Sequence, residues 1–384
     1  MGKKLNNIAF LFGAGISQPA GILNVSEITG NILNAKNVVY LNGRWYFKNS
    51  SENFSGTKTE ERLKRIKSLF DIIKNDLEQF YIQLNREMNY EDYYYICDSI
   101  NEDQRLNYEN SIVAYYDQNL YQRFPNIFGE INESKNNQLL TDITSDAKKY
   151  IEDLVIDSLN KEPITLKHLD FLSDIEKDKD ISKIYLFTLN HDNFLEKFFQ
   201  SKKIEYSDGF VYGKAKCKIW NPDSFNFKVN ILKLHGSIDW YYDSGSDWYD
   251  AHYYKNLVVS RENGRPIVLM GSFNKLNQYS RSIYFDLLCL FAQKLESCNY
   301  LVVGGYSFGD QGINTRIIEW MFKSQLRKLI VIHSKEEELR LRSRPAIRDK
   351  WSYLKKKNTI LNIKKYINIE DKLEWNELKE QMTL

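Results

Sequence analysis

The chain has 384 residues, 42% of them hydrophobic and 14% aromatic, enough to bury the core of one elaborated α/β domain or of two modest ones. Its 53 Lys and Arg against 51 Asp and Glu leave a formal charge of +2, which argues against direct nucleic-acid binding through a strongly basic surface. No apolar run reaches membrane-span length, the N-terminal stretch meets Gly-Ala-Gly too soon for a secretory leader, and Cys97, Cys217, Cys289 and Cys298 form no Cys-x-x-Cys pair. The expectation is a cytoplasmic chain with reduced thiols, no membrane contact and no structural zinc or other metal.

In chain order, the first signal is IAFLF (8–12), a short run apolar on both faces that stops at Gly13-Ala14-Gly15-Ile16-Ser17. That is the pattern of a buried parallel strand entering a tight turn. Small residues let such a turn approach a phosphate, and a helix starting behind it would offer free N–H donors. An ordinary strand–helix turn has the same composition, and Gln18 stands where a dinucleotide fingerprint needs its third glycine. Next, Asn42-Gly43 between Val38–Leu41 and Arg44–Phe47 predicts a hairpin. The periodicity then turns helical over 61–84, and further helices are expected near 109–122 and 141–159. Residues 58–160 therefore read as a helical insertion, with 1–57 and 161–384 forming the sheet-bearing domain.

Three further strand–turn signals follow. IYLF (184–187) runs into Thr188-Leu189-Asn190-His191-Asp192. Asn190 and Asp192 are two apart, so on an extended backbone both point the same way and could hold a ribose hydroxyl, a water or an amide; a turn or a helix cap is the plainer use of such residues. His191 alternates away from them and reads as structural or exposed. ILKL (231–234) runs into His235-Gly236-Ser237, where a histidine suits general-base chemistry, although a strand-end histidine bonded to backbone is common. His168, His252 and His333 have no comparable setting. A helix is expected over Ser282–Ser297 with Phe285, Leu288, Phe291 and Leu295 inward. YLVV (300–303) then meets Gly304-Gly305-Tyr306-Ser307-Phe308-Gly309-Asp310, where Ser307 could bond a ribose or phosphate and Asp310 or Asn314 could cap a helix. That next helix is expected over Asn314–Arg327, with Ile317, Ile318, Met321 and Phe322 on one side. LIVI (329–332) is the last clear strand, and the C-terminal region is expected to add an edge strand and a helix.

Strands alternating with helices predict a Rossmann-like, doubly wound, largely parallel sheet carrying the helical insertion. Ligands of such sheets sit beyond the carboxyl ends of the strands, and all four polar or glycine-rich motifs lie there.

As a set, GAGIS, TLNHD, LHGS and VVGGYSFGD resemble, in order, the motifs of the sirtuin superfamily. The resemblance implies that Asn190 positions the attacking group at the nicotinamide ribose, that Asp192 contacts the nicotinamide carboxamide, and that His235 acts on the ribose hydroxyls as base. It further implies that Gly13, Ala14, Gly15, Ile16, Ser17 and Thr188 lie against NAD at its pyrophosphate side, with Gly304, Gly305 and Ser307 at the adenosine half. The Pro-Asp-Phe-Arg segment and four-cysteine module usual in deacylases are missing. FTLNHDNFLE, LHGSIDW and GYSFGD with Asn314 are instead similar to bacterial sirtuin-like effectors of antiphage defence. That branch implies NAD hydrolysis to nicotinamide and ADP-ribose in abortive infection, an oligomeric assembly and, for some members, pairing with a HerA-type ATPase. A protein deacylase or ADP-ribosyltransferase and a non-catalytic NAD or ADP-ribose sensor are the alternative readings.

Overall fold

The computed structural model describes residues 7–34, 37–47, 57–84, 86–105, 110–128, 138–212, 218–242, 257–259, 265–271, 275–280 and 282–383. His252 and Cys217 fall outside them. The chain divides into two compact units, the first comprising Met1–Ile22, Lys161–Leu269 and Lys275–Leu384, the second Leu23–Asn160 with Met270–Asn274.

The first unit is Rossmann-like α/β. Its central sheet has seven strands, which we label β1 (Asn7–Phe12), β2 (Lys183–Thr188), β3 (Tyr206–Ser207), β4 (Val229–Lys233), β5 (Tyr300–Gly304), β6 (Lys328–Ile332) and β7 (Ile360–Ile363). They lie in the order β7-β6-β5-β1-β2-β4-β3 and every neighbouring pair is parallel. The alternation of the sequence explains why both faces are buried. Ala9 and Leu11 of β1, Phe187 of β2 and Leu301 and Val303 of β5 enter one core, while Ile8, Phe10 and Phe12, Leu186 and Val302 enter the other. Helices Ser282–Glu296, Gln311–Phe322 and Pro345–Lys356 cover the first face; Asp170–Lys177, Phe194–Lys202 and Trp375–Thr383 cover the second.

Two helix faces depart from the expected ones. In Ser282–Glu296 the buried line is Ile283, Leu287, Phe291 and Leu295, and Phe285 is exposed. The helix is apolar enough all round that two phases fit its sequence, and the sheet selects one. The next helix begins earlier than expected, at Gln311, buries Ile313, Ile317, Trp320 and Met321, and leaves Phe322 exposed. A four-stranded antiparallel sheet of Phe210–Tyr212, Lys218–Trp220, Leu257–Val259 and Trp240–Tyr242 was not legible in the sequence, because each strand is three residues long.

The second unit is mainly helical: Val25–Asn34, Thr57–Gln83, Tyr90–Gln104, Ser111–Arg123, Pro125–Phe128 and Gln138–Leu159. The hairpin forms as its turn predicts, with Asn42 and Gly43 both at positive φ (49° and 82°). It is anchored by Trp45, whose backbone N–H donates to Asp153 Oδ2 (3.0 Å) and whose ring meets Tyr150 edge-on. Helix Tyr90–Gln104, absent from the sequence reading, starts at a capping box in which Asn89 and Asp92 bond each other's backbone N–H groups.

This unit also buries Asp117. Its Oδ2 accepts from Gln104 Nε2 (2.9 Å), its Oδ1 has no hydrogen-bond partner among the described residues, and burial pushes the carboxyl up to about 7. A raised carboxyl favours the folded state most below the ordinary carboxylate range, and that advantage is lost as pH rises through about 7. Asp117→Asn keeps the shape and removes the charge, so it should be near-neutral at pH 4 and stabilising by about 2–4 kcal/mol at pH 8, read from urea unfolding at both pH values. Equal effects at the two pH values would refute this assignment.

Candidate active site

The strand order reverses at β1: the chain winds outward through β2 and β4 on one side, then returns to β5 on the other. Because the sheet is parallel, the loops after β1, β2, β4 and β5 all leave from one edge, which is where ligands of such sheets bind.

The loop after β1 does not lead directly into a helix N-terminus, as expected, but forms two successive 3₁₀ turns, Ala14–Ile16 and Gln18–Ala20. Its backbone donors are largely spent within the protein. Gly13 N–H donates to Gly304 O (3.1 Å), Gly15 N–H to Gly305 O (3.0 Å), Ile16 N–H to Gly13 O (3.0 Å) and Ser17 N–H to Ala14 O (3.1 Å). The glycines serve this docking of two turns. A Cβ on Gly13 would lie 2.7 Å from Gly305 O, and one on Gly305, at φ +66°, would lie 2.4 Å from Ile16 N. Ala14, Gly305 and Ser307 remain exposed, while Gly304 is buried at the strand end.

Ser17 is the side chain that this loop contributes to the interior. Its hydroxyl donates to Asp192 Oδ2 (2.7 Å) and accepts from Asn190 Nδ2 (2.9 Å). Asn190 Nδ2 also reaches Gly13 O (3.1 Å), and Asp192 Oδ1 accepts from Phe194 N–H (3.0 Å). Asn190 and Asp192 therefore do share a direction, and both turn toward the β1 loop. Thr188 shapes the bend by accepting from Asn190 N–H through Oγ1 (3.1 Å). A cavity of about 10 Å³, room for about one water, is lined by Ile16, Ser17, Thr188, Asn190, Asp192 and also by His168.

His168 was passed over in the sequence because it lies on a 3₁₀ turn with no motif around it. It is 2% exposed, and its Nε2 is 2.8 Å from Ile16 O. A carbonyl only accepts, so Nε2 carries the proton and Nδ1, which has no hydrogen-bond partner among the described residues, carries a lone pair. Burial lowers its pKa below the ordinary histidine value, keeping the ring neutral.

Lys233 was also missed, because one lysine inside ILKL reads as a blemish in a buried strand. It is 1% exposed, and its ammonium donates to Asp192 O, to Asn193 Oδ1 (3.0 Å) and to Glu196 Oε1 (3.2 Å). Burial pushes Glu196 up to about 7, with Lys233 pulling the other way. The lysine thus holds the backbone of the residue on which the β2 motif turns.

His235 sits at the end of β4, 4% exposed, beside Gly236 at φ +80°, where a Cβ would strike Ile267 O at 2.1 Å. Its Nε2 is 2.7 Å from Tyr279 Oη and 3.1 Å from Asp310 Oδ2, and Tyr279 Oη donates to the same Oδ2 at 2.8 Å. Asp310 also caps the helix Gln311–Phe322, accepting from Ile313 N–H (3.1 Å). Burial alone would raise the Asp310 carboxyl; His235, Lys275 and the Ile313 N–H outweigh it and hold the group well below the usual carboxylate range. Asn314 is not a cap. It accepts from Tyr306 Oη (2.9 Å) and donates to Phe308 O (2.8 Å), fixing the β5 loop. His191, expected to be structural or exposed, is half-buried with its ring centroid 6.2 Å from that of His235, so the β2 and β4 motifs meet. Burial and the neighbouring His235 hold its pKa well below the ordinary value. Among the described residues no cluster of His, Cys, Asp and Glu could hold a metal ion, and no helix is long and apolar enough to cross a membrane.

Residues 185–360 match a SIR2-like domain. The matched span includes Asn190, Asp192, His235, Ser307 and Asp310 and leaves out the β1 loop. No curated protein matches the chain. Among solved structures, a SIR2 bound to the inhibitor EX-527, 2′-O-acetyl-ADP-ribose and a deacetylated p53 peptide is 11% identical, covering 94% of this chain and 88% of its own, with a TM-score of 0.35. A Sir2 point mutant with a p53 peptide and NAD is also 11% identical, covering 98% and 92%, with a TM-score of 0.35. A third structure, described as the structural basis for sirtuin substrate affinity, is 12% identical, covering 98% and 92%, with a TM-score of 0.33.

Proposed function

We propose that the chain hydrolyses NAD at the nicotinamide–ribose bond, giving nicotinamide and ADP-ribose. The observation that carries this reading is the cluster of Ser17, Asn190 and Asp192 beside the switch strand β1, with His235 on the same sheet edge and its ring 6.2 Å from that of His191 in the Asn190–Asp192 motif. The hydrogen bonds now joining Ser17, Asn190 and Asp192 are ones that a substrate amide and a water can replace. In this reading Asp192 accepts the carboxamide N–H, Asn190 orients the incoming water, and His235 takes a hydroxyl proton from the ribose. Nicotinamide leaves neutral, with the electron pair of the broken bond, while C1′ carries oxocarbenium character and adds the water. Gly13, Ala14, Gly15, Ile16, Ser17 and Thr188 flank the pyrophosphate side, and Gly304, Gly305 and Ser307 the adenosine half. Because most N–H groups of the β1 loop are already engaged, much of the nucleotide contact falls to side chains.

The test is chromatographic: the full chain incubated with NAD should release nicotinamide and ADP-ribose in equal amounts. Turnover only with an acylated peptide, yielding acyl-ADP-ribose, would replace hydrolysis with deacylation; tight binding with no product would replace it with sensing. The biological setting that the motif resemblance supports is NAD depletion in a phage-infected bacterium by an oligomer, in some systems with a HerA-type ATPase. Its measure is cellular NAD after infection, which should fall in cells expressing the chain and hold in cells expressing an inactive variant.

A further inference from the structure

We infer that Asp310 is the positioning residue that commits His235 to its Nε2–H tautomer, with Tyr279 closing the triangle, so that Nδ1 is the nitrogen that takes the proton. This rests on the hydrolase reading only for what the proton transfer accomplishes. The tautomer follows from counting hydrogens. Asp310 Oδ2 lies 3.1 Å from Nε2 and 2.8 Å from Tyr279 Oη, and an ionised carboxylate only accepts. Tyrosine has one hydroxyl hydrogen, and Oδ2 receives it. Nε2 therefore faces two acceptors, the carboxylate and the remaining lone pairs of Tyr279 Oη at 2.7 Å, and must carry a hydrogen itself. The opposite tautomer would set a nitrogen lone pair against a carboxylate inside a buried cluster, with Tyr279 4% and Asp310 8% exposed.

Asp310 is itself fixed. Its other oxygen caps the helix Gln311–Phe322 through Ile313 N–H, and its own N–H donates to Tyr306 Oη (3.1 Å), so the carboxylate plane is held by the helix rather than by His235. During turnover a ribose hydroxyl passes its proton to Nδ1 as C1′ loses nicotinamide. The water that adds to C1′ returns a proton to that hydroxyl, and Nδ1 then releases its own proton to solvent, the one proton that the hydrolysis frees overall. The imidazolium so formed faces Asp310 across Nε2–H; His191, Lys275 and Tyr306 are further titratable groups that face the pair among the described residues.

The same geometry makes Asp310→Asn informative. Its Oδ1 stays on Ile313 N–H, asparagine being as good a cap as aspartate. Nδ2 then replaces Oδ2 and presents a donor to Nε2, forcing the proton onto Nδ1. Imidazole ¹⁵N spectra of the ¹⁵N-histidine-labelled full chain, with the His235 signals identified by their loss in His235→Gln, should show Nε2 protonated in the wild type and Nδ1 protonated in Asp310→Asn. The variant should lose about 100-fold or more in kcat with KM for NAD changed only a few-fold, and the acid limb of its pH–rate profile should move to lower pH. Asp310→Glu should restore part of the rate, and Tyr279→Phe should cost less while keeping the tautomer. An Nδ1–H tautomer in the wild type, or an Asp310→Asn chain with unchanged kcat and pH profile, would overturn the inference. A wild type that shows the Nε2–H tautomer, switched in Asp310→Asn, yet releases no nicotinamide would sink the hydrolase reading and leave the positioning role standing.

Discussion

His235→Ala should lower nicotinamide release by about 10²–10⁴-fold while the chain still folds. The loss falls on kcat rather than KM, because the imidazole meets substrate strongly only as the hydroxyl proton moves. The side chain is buried, and its Nε2 sits between Tyr279 and Asp310. Its removal leaves those two still paired to each other at 2.8 Å and to the helix cap, so the structural cost is confined. Circular dichroism and the unfolding midpoint should therefore sit close to wild type. Asn190→Ala is expected to join it in losing turnover, since it removes the carboxamide between Ser17 and Gly13 O. Full activity in both variants would refute the site.

The second large effect is on stability. Lys233→Ala leaves the Glu196 carboxyl, Asp192 O and Asn193 Oδ1 inside the protein without their cation, a loss of about 3–5 kcal/mol by the usual cost of breaking a buried pair. Lys233→Met fills the same volume and separates packing from charge. In the wild type Glu196 is raised to about 7, so its favourable contribution is complete below the ordinary carboxylate range and is lost as pH climbs through 7. Without Lys233 the carboxyl titrates higher still, and the loss continues above 7. The stability gap between Lys233→Met and wild type should widen between pH 7 and pH 9, as read from urea midpoints. A gap that stays constant with pH would mean the pair carries no charge. Activity should fall alongside, because the Asp192 carbonyl loses its tether.

Much of the fold was legible for one physical reason. A strand buried on both faces is apolar at nearly every position, and it ends in a turn; IAFLF, IYLF, YLVV and LIVI satisfy both conditions, ILKL does so except at Lys233, and all five lie in the sheet. The antiparallel strands, three residues each, are too short to carry such a signal. The grouping of Ser17, Asn190 and Asp192 followed from the motifs sharing one sheet edge. His168 and Tyr279 did not, because each reaches the cluster from a turn or short helix whose sequence carries no period. Asp310 was visible as a cap, which it is; its second bond, to a histidine 75 positions earlier, depends on the order of the strands rather than on any spacing. Lys233 hid in plain sight, since a buried ammonium becomes intelligible only once Glu196, on the helix that follows the neighbouring strand β2, is seen beside it.

The docking of Gly13 and Gly15 onto Gly304 and Gly305 has a consequence for engineering. These two loops are mated like the halves of a hinge pin, backbone to backbone, with contacts that admit no side chain at either surface. Neither can be re-shaped alone to accept a different nucleotide: a residue added to one has to be matched by a residue removed or a turn re-cut in the other. A library that randomises only the first loop would yield mostly misfolded chains, whereas grafting both loops together from another doubly wound protein preserves the mating.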